Sequence, residues 1–515
     1  MKILFYPTSL NMSYIIDACE IIKDKNKKIK FGFIYNRKEN ESKIEIENLK
    51  YLKKKKLSVS NFYLENKKKC QNIDEAYLEY FEKISKINIW KIISSDRVYG
   101  RVYINDIHSY RSIFSKKNSK EILLDFINIA KNLEKIFLKY KPNVIYISNG
   151  QSNIEASIMN SFAKFYNVKI LVPEPSRFKN YFFFSPSIYI FNDKIKKYYL
   201  SKKNTDQNDY KTNTLYEEIK NKGVISSDRV ANVKKISLLS QKNFFQKILG
   251  DTIYTVLKHT IFYFLFLFGI KFRHLKVLSY YNLIWSIKDE IFSRKILRFV
   301  LSLKCPDLNK KYIYLPLHLI PETSTLLMGN DFMNQAFLVE LISKNIPSDC
   351  KLYVKEHPAM FTSHGRKVEF YKRLKLLPNV ELVPIYVDGV KLIKNSKLVI
   401  VVDGSSGFEA MLMGKAVVTM KYFIYSFLGL SETNNNINNL YLDIKNAIKK
   451  NKAATQKILE SKIKGLIKSI ISTCYTLRKP DTFYYNEKNV SLKDQNICGE
   501  DLANAMMKEL KIIKK

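Results

Sequence analysis

Short apolar runs alternate with helix-length segments along most of the chain. Between residues 311 and 420 these runs are YIYLP, KLYV and LVIVV, and each ends abruptly at a polar residue, a glycine or a proline. Runs of this kind, separated by helical patterns, are typical of βα units in a parallel sheet that is covered on both faces. The pattern therefore predicts a doubly wound α/β domain here.

The first 200 residues repeat this pattern. ILFYP near the start and FGFIY at 31–35 enclose a helical segment, which predicts a βαβ unit, and the lysine-rich stretch 38–75 is interpreted as a solvated helix and loops. A helix is predicted near 119–139, followed by the strands PNVIYISNG (142–150) and VKILV (168–172). The first apolar run is short for a secretory signal, so we interpret it as a strand of an intracellular protein.

Residues 201–305 depart from this pattern. A polar linker, SKKNTDQNDYKTN, leads to TIFYFLFLFGI, eleven uncharged residues with basic residues on both sides. About 20 apolar residues are needed to cross a bilayer, so no span is predicted. Two interpretations stay open: an interfacial helix that contacts anionic lipid, or an interdomain core helix whose lysines extend to solvent.

These patterns predict four parts. Residues 1–200 form an N-terminal Rossmann-like domain, 201–305 a basic, aromatic helical linker or insertion, 306–480 a second Rossmann-like domain, and 481–515 a tail. The tail contains EDLANAMMKELKI after Gly499, and its acidic start and lysine-rich end suit a helix dipole.

Composition and charge narrow the classes of function. With 515 residues, 46% hydrophobic and 13% aromatic, the chain can bury several cores, which excludes intrinsic disorder. Its formal charge of +39 predicts attraction to polyanions, either anionic lipid, acidic saccharide or nucleic acid. No basic-aromatic nucleic-acid module is recognisable, so nucleic acid is the least favoured partner. Six scattered cysteines without metal-site spacing predict free thiols in a reducing cytosol and no metal site.

Polar clusters follow the three predicted strands between 311 and 420. In parallel sheets ligands bind beyond the carboxyl ends of the strands, so these clusters are the candidate site. The donor-side candidates are His318, Glu322, His357, Pro358, Gly404, Ser405, Ser406, Gly407 and Glu409.

Two of these clusters suggest phosphate chemistry. In DGSSGFEAM the free N–H groups and hydroxyls of a helix N-terminus would hold a phosphate. The alternative is a capping box made by Ser406 and Glu409, which is compatible with a ligand at Ser405 and the backbone N–H groups. His357 is held at its strand end by Pro358 and could stabilise a leaving phosphate. For His318 and Glu322 ordinary loop hydrogen bonds are the alternative.

The N-terminal domain offers candidates at equivalent positions. Asn149 and Gly150 follow one predicted strand and Glu174 follows the next, so all three are expected at one crevice. Asp96 and Arg97 lie in a turn after a helical segment and are further candidates.

The segments PLHLIPETST, LYVKEHP, GRKVEFYKRLKLLPNVELV and GSSGFEAMLMGKAVV resemble the capsule polysaccharide biosynthesis glycosyltransferases. This family includes bacterial Kdo transferases and is related to bacterial polysialyltransferases. The likeness is specific over 311–420 and looser over 90–190, where SDR, YISNG and VPEPSRF occur in the family's order.

The resemblance implies a GT-B architecture, with two Rossmann-like domains facing across a cleft and the donor held by the second. The family's HP motif falls on His357-Pro358 and its serine motif on Ser405-Ser406, which implies contact with the donor nucleotide or its phosphate. Its acidic motif would fall on Glu174-Pro175-Ser176. In the family, the second acid of this motif is usually assigned as the base, and Pro175 occupies that position here. Either Glu174 therefore acts as the base or the reaction differs.

The expected activity is sugar transfer from a nucleotide-activated donor, with a CMP-linked sugar as one option, to a saccharide or lipid-linked glycan. The product would be bacterial capsule or lipopolysaccharide. No DxD motif is evident, so transfer without metal or cofactor is expected, with either anomeric outcome. The protein is expected in the cytoplasm, at the inner membrane face. Alternatives are a CDP-glycerol-type glycerophosphotransferase, a nucleotide-sugar epimerase and a non-catalytic polyanion-binding protein.

Overall fold

The structure is a computed structural model in which the described residues form two compact units. One unit comprises 1–97, 117–227 and 461–515, and the other comprises 98–116 and 228–460. Asn149, Cys70 and the segment 258–298, which holds TIFYFLFLFGI, lie outside the described residues. The described residues are 1–8, 11–35, 43–55, 57–64, 71–104, 117–148, 150–178, 180–201, 209–222, 257, 299, 302–358, 360, 366–453, 455–485 and 491–512.

The strands agree in position with the predicted apolar runs and add several that the sequence did not reveal. In the first unit they are β1 (Lys2–Tyr6), β2 (Lys30–Tyr35), β3 (Val59–Tyr63), β4 (Val144–Ile147), β5 (Lys169–Pro175) and β6 (Tyr181–Ser185). In the second they are β7 (Tyr312–Pro316), β8 (Lys351–Lys355), β9 (Val380–Val383), β10 (Leu398–Val401), β11 (Ala416–Thr419) and β12 (Glu432–Thr433). A last strand, β13 (Tyr475–Thr476), returns to the first unit.

The first unit is built on a sheet in the order β13-β6-β5-β4-β1-β2-β3. β1 to β5 are mutually parallel, whereas β6 runs antiparallel to β5. β1 and β4 are almost fully buried, as expected for strands covered on both faces. The helices of this unit are Met12–Lys25, Lys43–Lys54, Glu75–Ser85, Ile89–Ser94, Ser119–Tyr140, Ile154–Phe165, Lys194–Tyr199, Tyr210–Lys222, Pro480–Tyr485 and Leu492–Glu509. The helix Gln456–Thr473 belongs to it from residue 461 onward.

The C-terminal residues complete the first unit. β13 pairs antiparallel with β6, and the helix Leu492–Glu509 packs along Met12–Lys25. Gly499 lies inside this helix, where an added Cβ would stand 2.6 Å from Cβ of Asp17. A glycine that suggested a helix start instead permits close helix packing. The second domain and tail were predicted to meet at 480, whereas the structure assigns 461–515 to the first unit because these residues supply a strand and core side chains there.

The second unit is built on a parallel sheet in the order β12-β11-β10-β7-β8-β9. Read from β9, this is the 3-2-1-4-5-6 order of a Rossmann fold, and the first unit follows the same order from β3 to β6. The prediction of two Rossmann-like doubly wound α/β domains is confirmed. The helices and helical turns are Arg101–Ile104, Ser324–Met328, Asn330–Phe332, Gln335–Ser343, Val368–Lys375, Gly389–Asn395, Ser405–Leu412, Ser426–Leu428, Ile437–Asn439 and Leu440–Ala453.

Three further properties concern only the part of the chain that the structure describes. None of its helices combines the length and apolar character needed to cross a membrane. Its cysteines Cys19, Cys305, Cys350, Cys474 and Cys498 are free thiols. It holds no group of three or more His, Cys, Asp or Glu side chains placed to bind a metal ion.

Candidate functional site

The candidate site of the second unit lies where the strand order reverses, between β7 and β10. His318 follows β7, and the turn Asp403–Ser406 follows β10. The Val402 backbone N–H donates to His318 Nε2 at 3.2 Å, and His318 Nδ1 lies 3.7 Å from Asp403 Oδ1. These two contacts bring the first and third polar clusters together. In open α/β sheets ligands bind at such a reversal of strand order.

His318 is neutral in the folded protein. Its Nε2 accepts a hydrogen bond, so its proton sits on Nδ1 and faces the carboxylate of Asp403. Burial, aided by the charge of Arg366, lowers the pKa of His318 to about 4. Both ring nitrogens therefore face protein groups, as the loop-bond alternative for this residue anticipated.

The neighbouring strand end carries a buried ion pair. Arg366 is fully buried, and its Nε donates to Glu356 Oε2 at 2.5 Å. Its Nη2 donates to the carbonyl of His318 at 3.0 Å and to Gln335 Oε1 at 2.9 Å. Tyr371 Oη donates to the same Glu356 oxygen at 2.8 Å. These contacts join the loops after β7 and β8.

Sequence reasoning missed Arg366, Gln335 and Tyr371. Arg366 and Tyr371 lie within the segment GRKVEFYKRL, which carried part of the family resemblance, but nothing in its pattern marks a buried charge. Arginine is rarely buried unless it is paired, and its partner Glu356 is ten residues away in another element. The sequence feature that could have indicated a buried ion pair is Glu356, which stands directly before the HP motif.

His357 follows β8 and is tied back to the ion pair. Its backbone N–H donates to Glu356 Oε1 at 2.7 Å, and its side chain is half-buried. Burial lowers the pKa of His357 to about 4, although the Glu356 carboxylate acts in the opposite direction. The imidazole is therefore neutral near pH 7, and a neutral imidazole carries one N–H donor.

The serine turn begins a helix at Ser405, with Gly404 as the N-cap. Gly404 has φ of +105°, a conformation that favours glycine, and its carbonyl accepts from Tyr425 Oη at 2.8 Å. Because the cap is Gly404, the Ser406–Glu409 capping box is not formed, and no side chain caps this end. The N–H groups of the first turn, with half-buried Ser405 and Ser406, are placed as anion donors.

Three other predicted donor-side residues differ in exposure. Gly407 is buried, and a Cβ there would meet Tyr425 Oη at 2.3 Å, so this helix turn packs tightly on Tyr425. Glu409 is also buried, at 5% exposure. Glu322 is exposed, and its carbonyl accepts from the Leu326 N–H at 2.8 Å.

In the first unit the structure brings Asp96 and Arg97 to the loop that contains Gly150. Asp96 Oδ2 accepts the Ile154 N–H at 3.0 Å, and Arg97 Nε donates to Ser152 Oγ at 2.7 Å. Ile154 is the first residue of its helix, so Asp96 caps an otherwise unsatisfied donor. These contacts indicate a structural role for the turn at 95–97.

Glu174 lies near the end of β5, where its backbone pairs with Phe183 of β6. Its side chain is 7% exposed. Burial raises the pKa of Tyr484, and the charge of the Glu174 carboxylate raises it further. Glu174 is thus a buried acid between two prolines.

The depressed histidine pKa values predict acid sensitivity of the fold. A histidine whose pKa falls from about 6.5 to about 4 on folding stabilises the protein above pH 6.5, and this contribution is lost as the pH falls toward 4. Each pKa unit corresponds to about 1.4 kcal/mol. We expect the melting temperature to fall between pH 7 and pH 5, and His318→Gln to flatten this dependence. An equally steep profile in His318→Gln would contradict the assignment.

Comparison with known proteins adds a family match and several distant structures. A family model described as capsule polysaccharide biosynthesis protein matches residues 300–469. No curated protein matches the chain. UDP-GlcNAc 2-epimerase from Neisseria meningitidis is similar with 12% identity and a TM-score of 0.22, over 92% of this chain and 99% of that one.

Two Kdo transferase structures of KpsC from Thermosulfurimonas dismutans are also similar. The β Kdo 2,4 transferase has 12% identity and a TM-score of 0.32, over 63% of this chain and 79% of that one. The β Kdo 2,7 transferase has 14% identity and a TM-score of 0.30, over 74% and 90%.

The family match, by contrast, contains the whole of the candidate site in the second unit. His318, His357 and the serine turn all lie within residues 300–469. The resemblance indicated by the sequence motifs is confirmed over residues 300–469, where the model of the capsule polysaccharide biosynthesis family matches this chain.

Proposed function

We propose that this protein transfers a sugar from a nucleotide-activated donor to a saccharide or lipid-linked glycan during synthesis of a bacterial surface polysaccharide. One observation carries the proposal. Within the region that matches the capsule family, His357 and the uncapped helix N-terminus at Ser405 occupy carboxyl ends of strands beside the topological switch point.

The donor phosphate would bind at the first turn of the helix Ser405–Leu412. Its free N–H groups, the two serine hydroxyls and the positive end of the helix dipole favour an anion. When the bond between the sugar and the phosphate oxygen breaks, negative charge grows on the leaving nucleotide. The neutral His357 imidazole would donate an N–H bond to that charge.

The acceptor hydroxyl would lose its proton as its oxygen bonds to the sugar. We propose Glu174 of the first unit as the base that takes this proton, because it is the acid at the position of the family's acidic motif. Helix and imidazole donors supply the leaving-group stabilisation in this scheme, so it uses no metal or cofactor.

A panel of nucleotide sugars tests the proposal. The purified protein is incubated with CMP-, UDP- and GDP-activated sugars or with CDP-glycerol, and with short anionic glycan acceptors, and nucleotide release and glycan mass are measured. We expect one donor to raise the melting temperature and to lengthen the glycan. Consumption of CDP-glycerol, isomerisation of UDP-GlcNAc without acceptor, or binding of polyanions without any turnover would each replace the proposal with one of its alternatives.

We further propose that the protein works at the inner membrane face through the basic, apolar stretch 242–304. The formal charge of +39 supports attraction to anionic lipid. We expect sedimentation with phosphatidylglycerol vesicles at low salt and release at high salt, because attraction is screened within about 8 Å near physiological ionic strength. Recovery in the supernatant at low salt would favour the interdomain-core interpretation of this stretch.

A further inference from the structure

The hydrogen bonds of the Arg366 side chain reach both the loop after β7 and the loop after β8. Its Nε holds Glu356, whose other carboxylate oxygen accepts the N–H of His357. Its Nη2 holds the carbonyl of His318. The His318 ring in turn accepts the N–H of Val402, the residue before the serine turn. An unbroken chain of contacts thus runs from the HP motif to the serine motif.

The surroundings of Arg366 fix its orientation. The side chain has 0% exposure, and its guanidinium carbon lies 4.8 Å from the ring centroid of Phe370. Gln335, which is also fully buried, accepts from Arg366 Nη2 at 2.9 Å and from the His318 N–H at 3.0 Å through one oxygen. A planar guanidinium with several bonds in fixed directions can hold two loops at one separation, whereas a lysine ammonium cannot reproduce that geometry.

A gain in the free energy of unfolding does not by itself explain a buried ion pair such as Arg366–Glu356. Transferring two charges out of water costs about as much as their attraction returns, and apolar side chains of similar volume often serve a core as well. What an ion pair with directional bonds adds is a defined arrangement of the groups it joins. Here those groups are the backbones that present His357 and, through His318, Gly404 and Ser405.

We propose that Arg366 is a positioning residue that sets the HP motif relative to the serine turn, so that both act on the same donor phosphate. It contacts no substrate in this scheme and acts only through Glu356 and His318. The expected effect on kcat rests on the proposed function. The expected effect on the positions of His318 and His357 can be measured without any substrate.

Arg366→Lys is the informative variant because it keeps the charge beside Glu356 and removes the forked geometry. Arg373→Lys is the matched control, since Arg373 pairs with Glu340 at 2.6 Å in the same unit but is 59% exposed. With the donor that the wild type consumes, we expect Arg366→Lys to lower kcat by about 10²-fold, the scale of a misplaced reacting group. Arg373→Lys should stay within about twofold, and both should melt cooperatively.

A second readout separates this inference from the proposed function. The chain has six histidines, so His318 and His357 can be assigned in imidazole NMR spectra with the variants His318→Gln and His357→Gln. We expect Arg366→Lys to shift both resonances in the free protein, and Arg373→Lys to shift neither. If Arg366→Lys does not fold, Glu356→Gln takes its place, because it keeps the shape of the side chain and removes the charge that Arg366 Nε binds.

The outcomes are decisive in each case. Unshifted His318 and His357 resonances in a folded Arg366→Lys protein, or in Glu356→Gln where Arg366→Lys is unfolded, would overturn the positioning role even if the wild type shows no transfer activity. Wild-type kcat in Arg366→Lys would overturn it as well. Absence of transfer in the wild type, together with shifted resonances, would reject the proposed function and keep the structural role of Arg366.

Discussion

Glu174→Gln is expected to lower transfer by about 10²- to 10⁴-fold, the usual share of general-base catalysis, while nucleotide binding is retained. Glu174 is buried in β5 between Pro173 and Pro175, so the amide should occupy the same place with little change in backbone. In our proposal this carboxylate acts only on the acceptor hydroxyl. The thermal shift with the matching nucleotide should therefore be undiminished, because it depends on affinity for the folded state.

Asp96→Asn is the matched control for Glu174→Gln. The Asp96 carboxylate accepts the first N–H of the helix Ile154–Phe165, and an amide oxygen can accept the same bond. We expect this variant to transfer at close to the wild-type rate. If Asp96→Asn loses transfer while Glu174→Gln keeps it, the base lies at the turn 95–97, and the acidic motif was carried over to the wrong residue.

His357→Ala is expected to lower transfer by about 10²-fold or more while the fold is kept. The side chain is half-buried at a strand end and neutral, with a pKa of about 4, so it can donate one N–H bond to the departing phosphate. Because the working form is already neutral, the rate should show no histidine titration near pH 6.5. A steady-state pH profile of the wild type between pH 5 and 8 checks this point.

Comparing His318→Ala with His357→Ala distinguishes a histidine that stabilises the fold from one that takes part in the reaction. The ring of His318 accepts the N–H of Val402 and faces Asp403, so its loss should lower the melting temperature. His357→Ala should change the rate far more than the melting temperature. Unaltered turnover in His357→Ala with the correct donor would remove this residue from the mechanism.

The hydrophobic pattern alone predicted the strands that organise the site. YIYLP, KLYV and LVIVV became β7, β8 and β10, because strands covered on both faces must be apolar along their length. The polar residues that end these runs were assigned to one edge of a parallel sheet, and the structure confirms this for His318, His357 and the serine turn.

Contacts between distant parts of the chain were not predictable in this way. β13 pairs with β6 although almost 300 residues separate them, and the helix around Gly499 packs on the first helix. In both pairs, the local sequence of one element does not identify the other element that it contacts. The local sequence of a two-residue strand such as β13 does not indicate which strand it pairs with. A glycine near a helix likewise looks the same in sequence whether it ends the helix or permits close packing within it.

The sequence by itself determined the α/β class, the Rossmann-like repeat of strands and the positions of the HP and serine motifs. These follow from local periodicity and from residues adjacent in the chain. Tertiary structure alone decided that Arg366 is buried, that it joins Glu356 to His318, and that Gly404 rather than Ser406 caps the serine helix. Burial and hydrogen-bond partners depend on which elements meet in space, and local periodicity does not carry that information.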